Sequence, residues 1–595
     1  MLSYIVSESK VPEIRQGHVL LKKSSPEVAT NSRLRTVATC LYNLHRQPCL
    51  TSSLVSDDHR HILQLFASPY SVAMAMKEVF KTCEETPDPI PTKVTGQIPK
   101  WLSGSLLRNS PGKFEQGEQK YRHWFDGMAL IHKFHIQNGD VRYQSKFLRS
   151  DAYVQGLEQK RIVMSEFGTS AYPDPCKSIF SRMFSYFTPM SHPRTDNGNV
   201  HLMQVGEEYY AHTELPFIRK VDPRTLDSGK LKVDYEKYVA VNGATAHAQN
   251  DTDGTTYNMG TTYGKNGGYC LIKIPPPDKG EVENPLQKAS IIAKIPQKYG
   301  AFPNYFHSFA MTENYIVFVE QPFFLNVLKI MAGPLLGKGV DWAFQFHKEI
   351  PTQFHVIEKA TGKVWTTKYT ADALMTFHHI NAYEDNGHLV MDLCAFAKMD
   401  AVFQFYLHNL RTWSKEEANE KLGDTDNYIA RFVLPLDVPE DVPDDENLVK
   451  LSDTLASAIR KDDSIYCVPE ILTDANFDLP RVNEKYNGRK YRYIYAVDVY
   501  RTPFRLVKVD AQTKENKYWS EENCYTSEPV FVEAPNPTSE DDGVVLSAVV
   551  RADEGKSICF LLVLDGKTFT ELGRAELSQP NKVPMQTHGI YVANM

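Results

Sequence analysis

Short apolar runs of strand length, separated by turns, dominate the chain from about residue 90 onward. Tyr491 to Tyr500 (YRYIYAVDVY) alternates ring and polar side chains with period two. Tyr315 to Val319 (YIVFV) and Val544 to Val550 (VVLSAVV) are β-branched runs of strand length. Strongly periodic helices are few, so the pattern predicts an all-β fold. A small unit recurs: an apolar residue or two, an acid, two residues, then Thr. It occurs at Asp222–Thr225, Glu358–Thr361, Asp510–Thr513 and Asp565–Thr568. The acid is expected to accept backbone N–H groups in a turn, with Thr beginning the return strand. Four such hairpins suggest radially repeated antiparallel sheets, a β-propeller. The spacings between successive Thr residues are 136, 152 and 55, so the blades must carry insertions. Pro435 to Asn447 is acidic and proline-rich, a solvated connection, and Pro275 to Lys279 is a second break.

Composition narrows the class. The chain has 595 residues and a net charge of −7, with no zinc-finger spacing or long basic run, so nucleic-acid binding is set aside. The nine cysteines are irregularly spaced and fit free thiols in a reducing compartment, with Cys176, Cys394 and Cys559 as small core residues. Ile62 to Met76, the longest uncharged stretch near the start, has 15 residues and contains Pro69. Crossing a bilayer takes roughly 20 apolar residues, so no transmembrane helix is expected. Residues 1–60 hold eight Lys/Arg and five Asp/Glu, and no acid falls between Val28 and Ser56. Residues 1–85 are therefore an N-terminal extension, either a mitochondrial transit-like segment or a tail without fixed structure, ahead of a single domain over 86–595. A cytoplasmic, peripherally membrane-associated protein is the other placement.

Among nineteen histidines, four stand at the mouths of strand-like runs: His247 in NGATAH, His307 in PNYFHSF, His378 in TFHHINAYE and His588 in QTHG. They are 60, 71 and 210 residues apart, too far for a local helical motif. A propeller brings them together, because its inner strands converge on one axis. Four imidazoles there would bind a metal with no charged ligand. Imidazole suits Zn, Cu, Fe and Ni alike, so ligand type leaves the metal open. Catalytic zinc normally uses three protein ligands, whereas four neutral ligands on a divalent iron leave coordination positions for dioxygen.

The blocks HWFDGMA (His123–Ala129), NGATAH (Asn242–His247), His307-Ser-Phe, FHHINA (Phe377–Ala382), SEPVF (Ser527–Phe531) and His588-Gly resemble those of the carotenoid cleavage oxygenase family, in the same order over nearly all of 90–595. DPCKS (Asp174–Ser178), RFVLPLD (Arg431–Asp437) and LLVLD (Leu561–Asp565) resemble its animal branch that cuts off-centre, at the 9′,10′ bond. The resemblance implies a seven-bladed β-propeller with a helical and loop cap over the iron-bearing face. It makes His247, His307, His378 and His588 the ligands of Fe(II). His378 is chosen over His379 because the motif's ligand directly follows Phe, and neighbours on a strand point opposite ways. Three acids would orient the ligand rings: Glu214, Asp478 and Glu528.

Three positions depart from the family's pattern. Asp478 stands where Glu is typical, shorter by one methylene, so an inward backbone shift or a bridging water is expected. His247-Ala-Gln249 lacks a second histidine common at that point. Ser110, in Asn109–Gly112, replaces a usual Gly and is expected to stiffen a turn. The implied chemistry is cleavage of one conjugated double bond of a carotenoid or apocarotenoid by dioxygen, giving two carbonyl products. Phe125 is a candidate wall of the substrate tunnel. Two stretches, 179–187 and 323–336, mix apolar and basic side chains as membrane-surface segments do, or else cap the propeller core. Central 15,15′ cleavage, a non-redox retinyl ester isomerohydrolase and a non-catalytic carotenoid carrier are the alternatives.

Overall fold

The computed structural model describes residues 76–171 and 194–595, apart from 265, 277–283, 400–403, 424–425, 440–442, 444, 474–475, 554 and 581–582. Seven antiparallel-based sheets of four or more strands follow one another along the chain as the blades of a propeller. Blade one has the C-terminal strand Gly589–Ala593 at its inner edge, then Gly104–Lys113, Met128–Gln137, Asp140–Phe147 and Thr86–Pro91. Blade two spans 201–234, blade three 243–296, and blade four 310–371 with Ser457–Lys461 and Ser464–Val468 added at its outer edge. Blade five runs from Met375 to Thr473, blade six from Asp478 to Trp519, and blade seven from Cys524 to Glu576.

Both ends of the described chain close the ring. Gly589–Ala593 pairs with Gly104–Arg108 in blade one, and Lys93–Gly96 pairs with Gly573–Glu576 at the outer edge of blade seven. The neighbouring blades cover both faces of the middle strands. All nine residues of His388–Phe396 are buried, as are eight of nine in Asn427–Pro435. Such strands need near-continuous apolar runs, and this is why Val544 to Val550 shows no alternation. Outer strands face water: only Val233 is buried in Ser228–Asp234.

The four acid-x-x-Thr units all join the third strand of a blade to the fourth, in blades two, four, six and seven. Asp222, Asp510 and Asp565 each accept two backbone N–H bonds through one carboxylate oxygen, at 2.7 to 3.4 Å. Glu358, one methylene longer, reaches instead to the Thr361 hydroxyl (2.9 Å) and Trp365 Nε1 (3.0 Å). Thr does not begin the return strand. The residue after it turns left-handed first, at Leu226, Gly362, Lys514 and Phe569, with φ of 62°, 71°, 63° and 61°.

Cys394 and Cys559 are buried core residues. Cys176, residues 179–187 and the charge-biased N-terminal segment lie outside the described residues. Ser110 corrects an expectation. It sits inside the strand Gly104–Lys113 and not in a turn, pairs with Leu130, and its Oγ lies 2.9 Å from His132 Nε2. Asn-Ser-Pro-Gly has turn composition, but the ladder absorbs Pro111 beside a register slip, one of the few places a strand tolerates proline.

Candidate metal centre

The inner ends of four blades bring the four histidines together. His588 immediately precedes the inner strand of blade one, and His307 lies three residues ahead of the inner strand of blade four. His247 falls between two short inner strands of blade three, Gly243–Ala244 and Gln249–Asn250. His378 lies within Met375–Asp385 of blade five, where the register slips on both sides of His379. Such bulges re-aim side chains. One ligand nitrogen from each ring lies within 4.8 Å of all the others. His247 Nε2 and His307 Nε2 are 2.8 Å apart.

Hydrogen bonds lock these segments to one another. Gln249 Nε2 donates to Phe309 O at 2.6 Å, tying the His247 loop to blade four. Ser308 Oγ donates to Phe377 O at 2.6 Å and accepts from His379 N at 3.0 Å, tying blade four to blade five. His379 Nδ1 lies 2.8 Å from Ser308 Oγ, and its ring is outside the four-nitrogen group.

Three rings are backed by the three acids. His588 Nδ1 meets Glu528 Oε1 at 2.9 Å, His378 Nδ1 meets Asp478 Oδ1 at 2.6 Å, and His307 Nδ1 meets Glu214 Oε1. A carboxylate accepts only, so each of these Nδ1 atoms carries the proton and leaves the Nε2 lone pair facing its neighbours. Asp478 needs no bridging water. It stands at the start of the inner strand of blade six, beside a register slip at which Leu479 turns left-handed (φ 53°). Leu479 N and Tyr500 Oη also donate to it, at 2.9 and 3.3 Å.

Burial pushes His588 down to about 4, against the opposing pull of Glu528. Burial and then the neighbouring rings hold His247 well below the ordinary imidazole range. Both are neutral at physiological pH, the state in which imidazole binds a metal. Burial alone would favour the neutral form of Glu528, but Arg481, the His588 ring and Arg108 outweigh it and hold the carboxyl far below its usual range. The same opposition, with His378 as the leading partner, keeps Asp478 below its ordinary value.

The residues fit a divalent metal. Three rings whose tautomer is set by a carboxylate direct lone pairs at one another, an arrangement that a shared cation makes favourable. His378 Nε2 is buried with no hydrogen-bond partner among the described residues. A buried acceptor of that kind calls for a partner.

Two residues that bond the acids behind the histidines carry no signal in the sequence. Arg108, fully buried, donates to Glu528 O (2.9 Å) and Thr587 O (2.7 Å), with its Nη1 3.5 Å from Glu528 Oε2. Tyr305 Oη donates to Glu214 Oε1 at 2.6 Å. Phe125 lies in the short helix Trp124–Asp126, with its ring 4.8 Å from that of His123 and outside the four-histidine group. Its ring begins an aromatic path: Phe167 at 5.8 Å, Phe344 a further 5.7 Å on, Tyr305 another 5.1 Å, then Phe377, whose ring is 5.8 Å from His307. Phe323 and Phe324 are buried in a two-stranded sheet, so only the helix Val327–Leu336 of the expected surface segment presents apolar side chains outward.

A propeller that gathers four imidazoles on its axis, three of them held by carboxylates, is a metal-dependent enzyme scaffold. Solved structures share the fold. A chimera of ACO and RPE65 superposes with a TM-score of 0.68 at 21% identity, covering 88% of this chain and 99% of the other. A cobalt-substituted ACO from Synechocystis gives 0.68 at 22% identity, covering 89% and 99%. The family described as RPE65, retinal pigment epithelial membrane protein, matches residues 79–593. The chain belongs to this family, the carotenoid cleavage oxygenases. Among curated relatives, the chicken β,β-carotene 15,15′-dioxygenase is 46% identical over 87% of this chain and 98% of its own length. The rat enzyme of the same name is 45% identical, over 86% and 90%. A carotenoid-cleaving dioxygenase named mitochondrial, from Macaca fascicularis, is 43% identical, over 86% and 93%. The chicken and rat enzymes are named for the 15,15′ bond, not the 9′,10′ bond expected from the DPCKS, RFVLPLD and LLVLD phrases, and the macaque name specifies no bond.

Proposed function

We propose that the protein is a non-haem iron(II) dioxygenase that cleaves one double bond of a carotenoid polyene. The observation that carries this reading is the convergence of His247, His307, His378 and His588 on one point, with carboxylates on three of the rings. Iron(II) bound there supplies the activation of dioxygen. A solved neighbour of the same fold is a cobalt-substituted protein, which supports a metal-binding reading. The protein's own share is positional. Glu214, Asp478 and Glu528 hold three imidazoles in one tautomer and orientation. The aromatic path from Phe125 to Phe377, its rings packed tilted or edge-to-face, would give a conjugated chain an apolar lining beside His307 and keep water from the reacting bond. No side-chain acid or nucleophile is required.

The identities of 43–46% to four dioxygenases named for the 15,15′ bond favour central cleavage. Off-centre 9′,10′ cleavage is the second reading, supported by the phrases shared with that branch. Product masses separate the two when iron-loaded protein is incubated with β-carotene under oxygen. Central cutting gives two equal halves and off-centre cutting two unequal fragments. Oxygen-independent release of a retinol isomer would establish the isomerohydrolase. No product from any polyene, together with no iron bound after reconstitution, would overturn the enzyme reading and leave a carrier.

Access to substrate in lipid is proposed through the helix Val327–Leu336. Leu328 and Leu336 are 62% and 59% exposed, Met331 is exposed beside them, and Lys329 lies on the same helix. A short helix with bare apolar side chains and a basic neighbour suits the membrane interface. Leu328→Glu is expected to lower co-sedimentation with anionic vesicles while leaving metal content unchanged. Mitochondrial placement rests on the acid-free stretch from Val28 to Ser56 and on the relative that carries that name.

A further inference from the structure

Six inner strands bring His588, His247, His307, His378, Asp478 and Glu528 to the axis, as ligands or as carboxylates behind them. The seventh, His201–Val205 of blade two, brings His201 to the same level. Its ring lies 5.4 Å from that of His247, nearly parallel at 28°, and 5.3 Å from that of His588, edge-on at 86°. The His247 and His588 rings are themselves 4.7 Å apart at 82°. The three rings thus form one packed cluster.

His201 is 8% exposed, and neither of its ring nitrogens has a hydrogen-bond partner among the described residues. A buried imidazole with both nitrogens unmatched costs stability compared with an apolar side chain of similar size. It is also not within the four-nitrogen group, so it is not placed as a fifth ligand. What it does contact is informative. His307, His378 and His588 each have a carboxylate on Nδ1, whereas no carboxylate bonds the His247 ring among the described residues. The one ligand ring without an acid behind it is the one that has the His201 ring laid against its face.

We propose that His201 is a positioning residue for the metal centre, holding the His247 imidazole in its ligating orientation by ring stacking where the other ligands are held by hydrogen bonds. The inference rests on the metal-centre reading above. Planar stacking removes the rotation of the His247 ring about its own bond to the chain, and the edge contact with His588 fixes the stack sideways. A small side chain at position 201 would open space on that face. The His247 nitrogen would then sample positions off the common point.

The test uses the full-length chain, with cobalt(II) as the probe. Affinity is read by competition with a chelator, and ligand geometry by the visible absorption of the bound ion. His201→Ala is expected to weaken cobalt binding roughly tenfold, the usual scale for losing a group that orients a ligand, and to shift the absorption bands. His201→Phe, which keeps a flat ring and removes both nitrogens, is expected to restore affinity to within about threefold and to restore the bands. His201→Asn, polar but ringless, should behave like Ala. Unchanged affinity and spectrum in His201→Ala would overturn the proposal, and so would rescue by Asn with none by Phe. If Phe does not fold, the Ala and Asn spectra decide the matter. A wild-type chain that binds no cobalt would instead overturn the metal-centre reading itself.

Discussion

The Glu528–His588 side of the metal centre and the Glu214–His307 side use the same pairing in opposite surroundings. The Glu528 side chain is 2% exposed, accepts from Gly589 N at 2.9 Å, and has Arg108 and Arg481 within 3.5 and 3.9 Å. The Glu214 side chain is 31% exposed and is met by Tyr305 and the His307 ring, with no cation among its bonded partners in the described residues. Asp478 stands between them, 9% exposed and supported by Tyr500 and its own neighbour's N–H. A buried carboxylate needs compensating charge, and one that touches water does not. The comparison teaches that one part of the site is built into the closure of the ring, where Arg108 of the first blade grips Glu528 and Thr587 near the C-terminal strand. The other part is held locally and can be altered without loosening the fold.

The sharpest way to break this contrast is Glu528→Gln. The amide still accepts from His588, but Arg108 loses its counter-charge in a buried place, while Arg481 keeps Glu484 at 3.1 Å. Removing one partner of a buried ion pair costs about 3–5 kcal/mol. The metal-free variant is expected to unfold at a clearly lower denaturant midpoint, and its metal affinity to fall with it. A midpoint equal to wild type would show that Glu528 serves the metal alone.

Glu214→Gln should do the reverse. With Glu214 partly exposed and free of any buried cation, stability of the metal-free protein is expected to change by less than about 1 kcal/mol. Metal affinity should nevertheless fall roughly tenfold, because His307 loses its orienting anion. Chelator competition and denaturant unfolding on the same preparation give both numbers. A stability loss as large as that of Glu528→Gln would erase the distinction between the two sides.

The residues legible in the sequence were those whose meaning is local. The four acid-x-x-Thr units mark equivalent hairpins in four blades: in three an Asp caps its own turn, and in the fourth Glu358 takes the Thr361 hydroxyl instead. The four histidines and three acids were legible through short blocks with the same order as a known family. Arg108 was not. It lies 420 residues from the carbonyl it binds at Glu528, and nothing beside it in the chain announces a charge to be buried. Tyr305, two residues before His307, reads as one more ring in an aromatic run, and only the fold sets Glu214 against it. Ser110 misled for the opposite reason. Local turn chemistry pointed one way, and burial within a five-stranded sheet decided the other. The short side chain of Asp478 is plain in the sequence, but the bulge that delivers it at 2.6 Å from His378 is a property of the pairing with Val497 and Tyr495.

Tyr305→Phe probes the open side most finely, and its expected effect is the smallest. The substitution keeps the ring, whose centroid lies 5.5 Å from Phe323 and 5.1 Å from Phe344, and removes only the hydroxyl. Glu214 then loses one donor. Because its side chain reaches solvent, water replaces that donor, and the net loss is about 0.5–1.5 kcal/mol at most, the ordinary worth of one such bond. Metal affinity should therefore fall by less than in Glu214→Gln, and the unfolding midpoint should scarcely move. If Tyr305→Phe weakened metal binding more than Glu214→Gln does, the hydroxyl would be acting on His307 directly, where its oxygen lies 3.2 Å from Nδ1. The hydroxyl oxygen would then accept from His307 Nδ1 while its hydrogen goes to Glu214, and the carboxylate would be the lesser part.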